Sequence, residues 1–216
     1  MSRVLLGVTG SVAATRTPTL VAALLAAGHE VKVVATTPSL YFFDGNDLPP
    51  GALHTDATEW PGDRYHRGDA VQHVELRNWA ELFVIAPLGA NTLAKLAVGQ
   101  CDNALTCVWR AWDATRPVLL APAMNTLMWQ HPFTRRHLRA IAADFGAGHV
   151  PGHLADELLI AQINDRAKGF RIVAPIVKEL ACGDTGVGAM AEVPDVVTAV
   201  GEVLGSRPVP LTGPSG

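Results

Sequence analysis

Charge is scarce in this chain of 216 residues: Asp, Glu, Lys and Arg make up 17% of it and the net charge is -3, against 49% hydrophobic residues. That balance leaves no basic field to draw a nucleic acid or an anionic membrane. The apolar share is high for a soluble monomer, and subunit interfaces would absorb the surplus. Long hydrophobic runs are missing as well. The longest candidate, Leu20 to Ala27, falls short of the roughly 18 residues of a membrane span and ends at Gly28. Arg3 leads into a short β-like run, Val4 to Val8, that breaks at Thr9-Gly10, so the start does not read as a secretory signal and a cytoplasmic protein is expected. Cysteine is sparse and odd in number. Cys101, Cys107 and Cys182 have no CxxC spacing, which suits reduced thiols better than a disulfide framework or a metal site. A GxGxxG dinucleotide fingerprint and a Walker lysine are both absent.

What is present points to an α/β chain of one domain, expected over residues 1–205, with 206–216 as a disordered Pro/Gly tail. The stretch Pro122 to Trp129 organises the rest. Val118, Leu119 and Leu120 read as a buried strand that Pro122 stops, and Asn125 stands at the N-cap of the next helix. In an open α/β sheet ligands bind beyond the carboxyl ends of the strands, so the side chains of Met124 and Asn125 are expected to point into a site. A cap alone would equally explain the asparagine.

Three strand-to-helix turns offer amides and hydroxyls. Val4 to Val8 ends in Thr9-Gly10-Ser11, where the amides of Ser11 and Val12 open a helix and can receive a phosphate. The second strand, Val31 to Ala35, ends in Thr36-Thr37-Pro38-Ser39, beside the first turn. Leu88-Gly89-Ala90-Asn91-Thr92 follows a third buried strand, Leu82 to Ala86, and is expected to cap a helix from Leu93. Tyr41-Phe42-Phe43 reads as core or as a cover for a flat ring. Asp44 to Asp69, rich in Pro, Gly and Asp, is expected to be irregular and to carry little chemistry. His73 lies beside an apolar strand-like run, Val71 to Leu76, ahead of a helix from Arg77, and is either a structural histidine or a working one. Cys107 is expected in the core. The apolar run Phe170 to Ile176 leads to Cys182, and the glycines 183, 186 and 188 around it predict a mobile loop in which the thiol is chemically used.

Gly10-Ser11-Val12-Ala13-Ala14, His73-Val74-Glu75-Leu76-Arg77, Ala86-Pro87 with Ala90-Asn91-Thr92, Cys101-Asp102-Asn103, Pro122 to Trp129 and Ala181 to Glu192 together resemble the flavin-containing cysteine decarboxylases over nearly the whole chain. One branch of that family acts on phosphopantothenoylcysteine, another on peptides ending in cysteine. The resemblance implies a flavodoxin-like, doubly wound parallel sheet, with FMN bound between the subunits of a trimer or a multiple of trimers. It assigns FMN contacts to Gly10, Ser11, Val12, Thr36, Ser39, Gly89, Ala90, Asn91 and Thr92, with Phe42 and Ala123 near the ring. His73 becomes the base, Asn125 the clamp on the substrate carboxylate with Met128, Leu180 and Ala181 beside it, and Cys182 a proton donor.

The chemistry explains the flavin. A cysteine carboxylate has no electron sink for the carbanion left by CO2, whereas oxidation of its side chain to a thioaldehyde provides one. Three departures bear on the substrate. Asn78 stands where a second arginine is usual after Arg77, Gly89 replaces a serine or aspartate, and residues 146–170 look like an insertion in the family's substrate clamp. These favour oxidative decarboxylation of a peptide's C-terminal cysteine over phosphopantothenoylcysteine decarboxylation. A non-catalytic, phosphatase-regulating protein is a more remote reading.

Overall fold

The computed structural model describes residues 1–64, 66–179 and 185–205. Its centre is a set of strands with consecutive apolar residues, as strands covered on both faces require. β1 (Arg3–Val8) is followed by a 3-10 turn, Val12–Arg16, and then α1 (Thr17–Ala26). Thr17, Leu20, Val21 and Leu24 lie on the buried face of α1 at helical spacing, and the chain leaves it through Gly28 at φ +85°. β2 (Glu30–Ala35) ends in a second 3-10 turn, Thr37–Tyr41. A short β3 (Leu53–His54), α2 (Asp56–Glu59) and α3 (Gln72–Trp79) precede β4 (Leu82–Leu88), all seven residues of which are buried.

The chain continues with α4 (Ala90–Val98), α5 (Ala104–Ala111), the fully buried β5 (Val118–Pro122), α6 (Thr126–Gln130), α7 (Pro132–Asp144), α8 (Asp156–Arg166) and β6 (Phe170–Ile172). An antiparallel hairpin, β7 (Ile176–Glu179) and β8 (Thr185–Ala189), and α9 (Val193–Gly205) follow.

The first six strands form one parallel sheet in the order β3-β2-β1-β4-β5-β6. Without the two-residue edge strand β3 this is the flavodoxin-like winding, which reverses between β1 and β4. Alternate strand residues feed two cores. Val4, Leu6, Val8, Val84 and Leu119 pack with α1 and α9, whereas Leu5, Phe83, Ile85, Val118 and Leu120 pack with α3, α4, α5, α7 and α8. Truncating Phe83, which is completely buried, to Ala costs about 3–5 kcal/mol.

Several local expectations are corrected. The excursion 44–69 is not featureless, because it supplies β3 and α2. His73 stands in the first turn of α3 and not beside a strand. Residues 146–170, expected as an insertion in a substrate clamp, contain α8 and lead to the edge strand β6, with Leu159, Ile160 and Ile163 buried in the core. The run Phe170 to Ile176 is divided, since its first part completes the sheet and Ile176 opens the hairpin. Cys107 is half-buried and not core. Cys182, Leu180, Ala181 and the tail 206–216 lie outside the described residues.

Candidate active site at the carboxyl edge of the sheet

The sheet's winding reverses between β1 and β4, and the turns leaving these strands are tied by a residue that the sequence did not single out. Thr9, fully buried, donates its hydroxyl to the Pro87 carbonyl at 2.8 Å and accepts the Gly89 amide at 2.8 Å. Neighbouring glycines let the turns close up. A Cβ on Gly10 would lie 2.8 Å from Cβ of Pro38, and one on Gly89 3.2 Å from the Gly10 carbonyl oxygen, so the turns after β1, β2 and β4 are in mutual contact. Ser11 caps the first 3-10 turn, its Oγ accepting from the Ala13 amide at 3.4 Å. Thr36 and Ser39 are buried and donate their hydroxyls to the carbonyls of Val8 (3.3 Å) and Thr36 (2.6 Å).

Gly89 itself is the N-cap of α4, so Ala90, Asn91 and Thr92 form its first turn instead of capping it. With no side chain at the cap, the leading amides of this helix keep their donors for an outside acceptor. The three turns contain no charged residue. Such a cradle, made of amides, hydroxyls and a helix N-terminus, suits a phosphate. Val12 is exposed at its rim, and Phe42 is half-buried on the α1 side with Tyr41 edge-on at 5.2 Å. Ala123, expected near the ring, is buried just past β5, and its amide donates to the Leu88 carbonyl at 2.9 Å and joins the ends of β5 and β4.

Met124 also turns inward, into the core beneath Thr134, so of the pair only Asn125 faces out. Its Oδ1 accepts the Met128 amide at 2.8 Å, the N-cap bond of α6. That bond fixes the carboxamide, because only the oxygen can face an N–H. Nδ2 is left out of that bond, and Asn125 lines a cavity of about 430 Å³ with Ala90, Asn91, Met128, His131 and His137 among others, none of the described lining residues being acidic. Capping and ligand binding are thus compatible here. Burial, with Arg136 nearby, lowers the pKa of His137.

The hairpin lies directly on this turn. Met124 donates its amide to the Gly188 carbonyl at 2.9 Å, and a Cβ on Gly188 would collide with the Met124 carbonyl oxygen at 2.4 Å. Gly186 meets Thr126 in the same way. Gly186 and Gly188 are therefore docking positions in a strand, not marks of a mobile loop; Gly183 falls outside the described residues. Glu192, just past β8, bonds Lys178 at 3.1 Å and Arg16 at 2.8 Å, and these cations hold its carboxyl below the usual range.

His73 is elsewhere. It lines a separate cavity of about 380 Å³ with Glu59, Trp60, Arg64, Val71 and others, and no residue is shared with the cavity at Asn125. Its Nδ1 contacts Glu59 Oε1, and its backbone amide donates to Glu59 Oε2 at 2.8 Å. The Glu59 side chain is 4% exposed. Glu59 lies in a segment expected to carry little chemistry, and the sequence did not single it out either. Asp56, at the other end of α2, accepts from Thr37 at 2.8 Å and from the Ala104 amide at 2.8 Å, which anchors α2 to the turn after β2 and to α5.

Comparison with known proteins adds a family and its relatives. The Flavoprotein family matches residues 1–205. A mouse phosphopantothenoylcysteine decarboxylase is 45% identical over 203 residues, 94% of this chain and 87% of that protein. Among solved structures, a PPC decarboxylase mutant complexed with pantothenoylaminoethenethiol superposes with a TM-score of 0.76 at 44% identity, covering 95% of this chain and 99% of that one. The FMN-binding protein AtHal3 gives 0.74 at 44% identity over 96% and 99%.

Proposed function

Because the chain belongs to the Flavoprotein family, we propose that it is an FMN-dependent decarboxylase acting on the cysteine carboxylate of phosphopantothenoylcysteine, releasing CO2 and leaving a saturated thiol. FMN is the cofactor. The close approach of Gly10 to Pro38 and of Gly89 to Gly10 supports this assignment, since it leaves a backbone-lined cradle that added side chains would fill. We assign the phosphate and ribityl chain to Gly10, Ser11, Val12, Thr36, Ser39 and Gly89 to Thr92. Thr36 and Ser39 would take part through rotation of hydroxyls now bonded to backbone, and Phe42 would lie toward the ring.

The observation that carries the reaction is the Asn125 carboxamide, its oxygen held by the cap bond, at a cavity with no acidic residue among the described ones that line it. Such a donor suits a substrate carboxylate and holds it in place while it is lost. Bound FMN supplies a reversible two-electron acceptor, the redox chemistry that no side chain here can provide. His73 takes the proton of the substrate thiol at Nε2, and Cys182 returns one to carbon in the second half of the reaction, so that the net change is loss of CO2 alone. Met128, Leu180 and Ala181 contact the substrate.

His73 and Asn125 face different cavities, which supports a site completed between copies of the chain, in a trimer or a multiple of one with FMN at the interface. Exposed Leu127 and Phe133 beside the Asn125 cavity give such an interface apolar surface to bury. Phosphopantothenoylcysteine is favoured over a cysteine-terminated peptide because the described part of the hairpin is a two-stranded sheet of β7 and β8 alone and the mouse relative carries that activity in its name. The test is turnover of both substrates by the FMN-loaded protein, followed as CO2 release. A higher kcat/KM for phosphopantothenoylcysteine supports the reading, and turnover of the peptide alone sinks it.

A further inference from the structure

The Glu59 carboxylate has two partners on one residue. Oε2 accepts the backbone amide of His73, and Oε1 meets the imidazole Nδ1. The first contact caps α3, whose own N-cap residue, Val71, offers no side-chain bond. The second concerns the ring. A carboxylate can only accept, so Nδ1 must be the protonated nitrogen, and the lone pair of a neutral ring then sits on Nε2. The bonds of His73 to described side chains are made by its backbone amide and Nδ1, which leaves Nε2 as the ring nitrogen available to the cavity that His73 lines.

We propose that Glu59 is the positioning residue of this enzyme: it fixes His73 in the Nδ1–H tautomer, aims Nε2 as the proton acceptor, and stabilises the imidazolium that forms when the proton arrives. The proposal rests on the reading of His73 as the base. A buried acid behind an imidazole has this effect wherever the histidine must accept a proton on its far nitrogen.

Replacement by glutamine isolates the effect. In Glu59→Gln the carboxamide has one acceptor oxygen and an NH2 group. The backbone amide of His73, which can only donate, claims the oxygen. The NH2 then faces Nδ1, which has to accept, and the imidazole proton moves to Nε2, where it blocks proton uptake. Shape, volume and the cap bond to α3 all survive. Glu59→Asp keeps an acceptor of the same charge and should keep the tautomer. A role confined to capping α3 would move stability but not the tautomer.

The experiment is nitrogen-15 NMR of the imidazole in the FMN-loaded protein at mildly alkaline pH, with the resonance assigned by its loss in His73→Asn, beside single-turnover decarboxylation, flavin content and melting temperature. The expected result is an Nδ1–H ring in the wild type and in Glu59→Asp. For Glu59→Gln we expect an Nε2–H ring, unchanged flavin content and a rate lower by roughly 10²-fold or more, as losing a general base commonly costs. An Nε2–H ring in the wild type overturns the proposal even if the glutamine variant does not fold. An unchanged tautomer in Glu59→Gln overturns it as well, and so does a switched tautomer with an unchanged rate. Full activity in His73→Asn overturns the base reading itself, and with it the purpose of the tautomer, whereas failure of Glu59 alone leaves that reading standing.

Discussion

Changing Asn125 to Asp separates the two tasks of its side chain. Aspartate is as good an N-cap as asparagine, so its carboxylate should keep the bond that Oδ1 makes to the Met128 amide at 2.8 Å, and α6 should lose little stability. The outward group, however, changes from an N–H donor to a second carboxylate oxygen. Two carboxylates about 4 Å apart repel by roughly 4 kcal/mol at an effective dielectric near 20 and by about 1 kcal/mol in water. Asn125 is exposed in the isolated chain, which argues for the lower part of that range, and loss of the donor adds about 1 kcal/mol. The sum, about 2–4 kcal/mol, predicts a rise in KM of between 30-fold and several hundred-fold, with normal flavin content and a melting temperature within about 2 °C of wild type. Asn125→Ala loses the cap too and should melt lower by roughly 2–4 °C, for about 1 kcal/mol of capping energy. Substrate titrations under single-turnover conditions, with calorimetry on the same samples, measure both quantities. A wild-type KM in Asn125→Asp would refute a direct contact between this residue and the substrate carboxylate.

Thr9→Val keeps the shape of the residue but strands the Gly89 amide, since Pro87 retains a bond from the Thr9 backbone; a loss of about 1–3 kcal/mol and weaker FMN binding should appear in melting and flavin titration. Gly188→Ala puts a methyl against the Met124 carbonyl oxygen at a φ of +137°, so the hairpin should lift from the Asn125 turn, with faster hydrogen exchange in β8 and lower activity at normal flavin content. Burial and the neighbouring Cys101 raise the Cys107 thiol to about 11, so near pH 8 iodoacetamide should label exposed Cys101 well before Cys107, a ranking that peptide mass mapping reads directly. The Glu192 carboxyl is depressed by Lys178 and Arg16, so its ion pairs stabilise the root of the hairpin above the unfolded carboxylate pKa and are lost as pH falls through the folded value; Glu192→Gln should abolish that acid-side loosening in hydrogen exchange.

The sheet was legible because β1, β4 and β5 are buried on both faces and therefore read as unbroken apolar runs between turn residues. The meeting of the three turns was legible for a similar reason, since small polar residues end β1, β2 and β4 at one edge. Asn125 showed itself as a cap, but a cap signal does not reveal where the other half of the carboxamide points. Glu59 was hidden because its bond to His73 spans 14 residues of a segment rich in turn formers, and only the packing of α2 against α3 brings the carboxylate under the ring. Gly186 and Gly188 look alike whether a segment is mobile or pressed against another backbone; the contacts with Met124 and Thr126 settle which. The run Phe170 to Ile176 hid its division between sheet and hairpin, because β6 is short and apolar, β7 opens on the apolar Ile176, and only residues 173–175 lie between them.

Loss of CO2 alone from phosphopantothenoylcysteine, as proposed, shows in the mass of the product. The FMN-loaded protein is incubated with that substrate and the product is weighed by mass spectrometry. The expected product is lighter by about 44 Da, a saturated thiol, because electrons drawn into the cofactor are returned. A product lighter by about 46 Da, an enethiol formed by wild-type protein as its end product, would contradict the redox-neutral outcome, and no mass change at all would contradict the substrate.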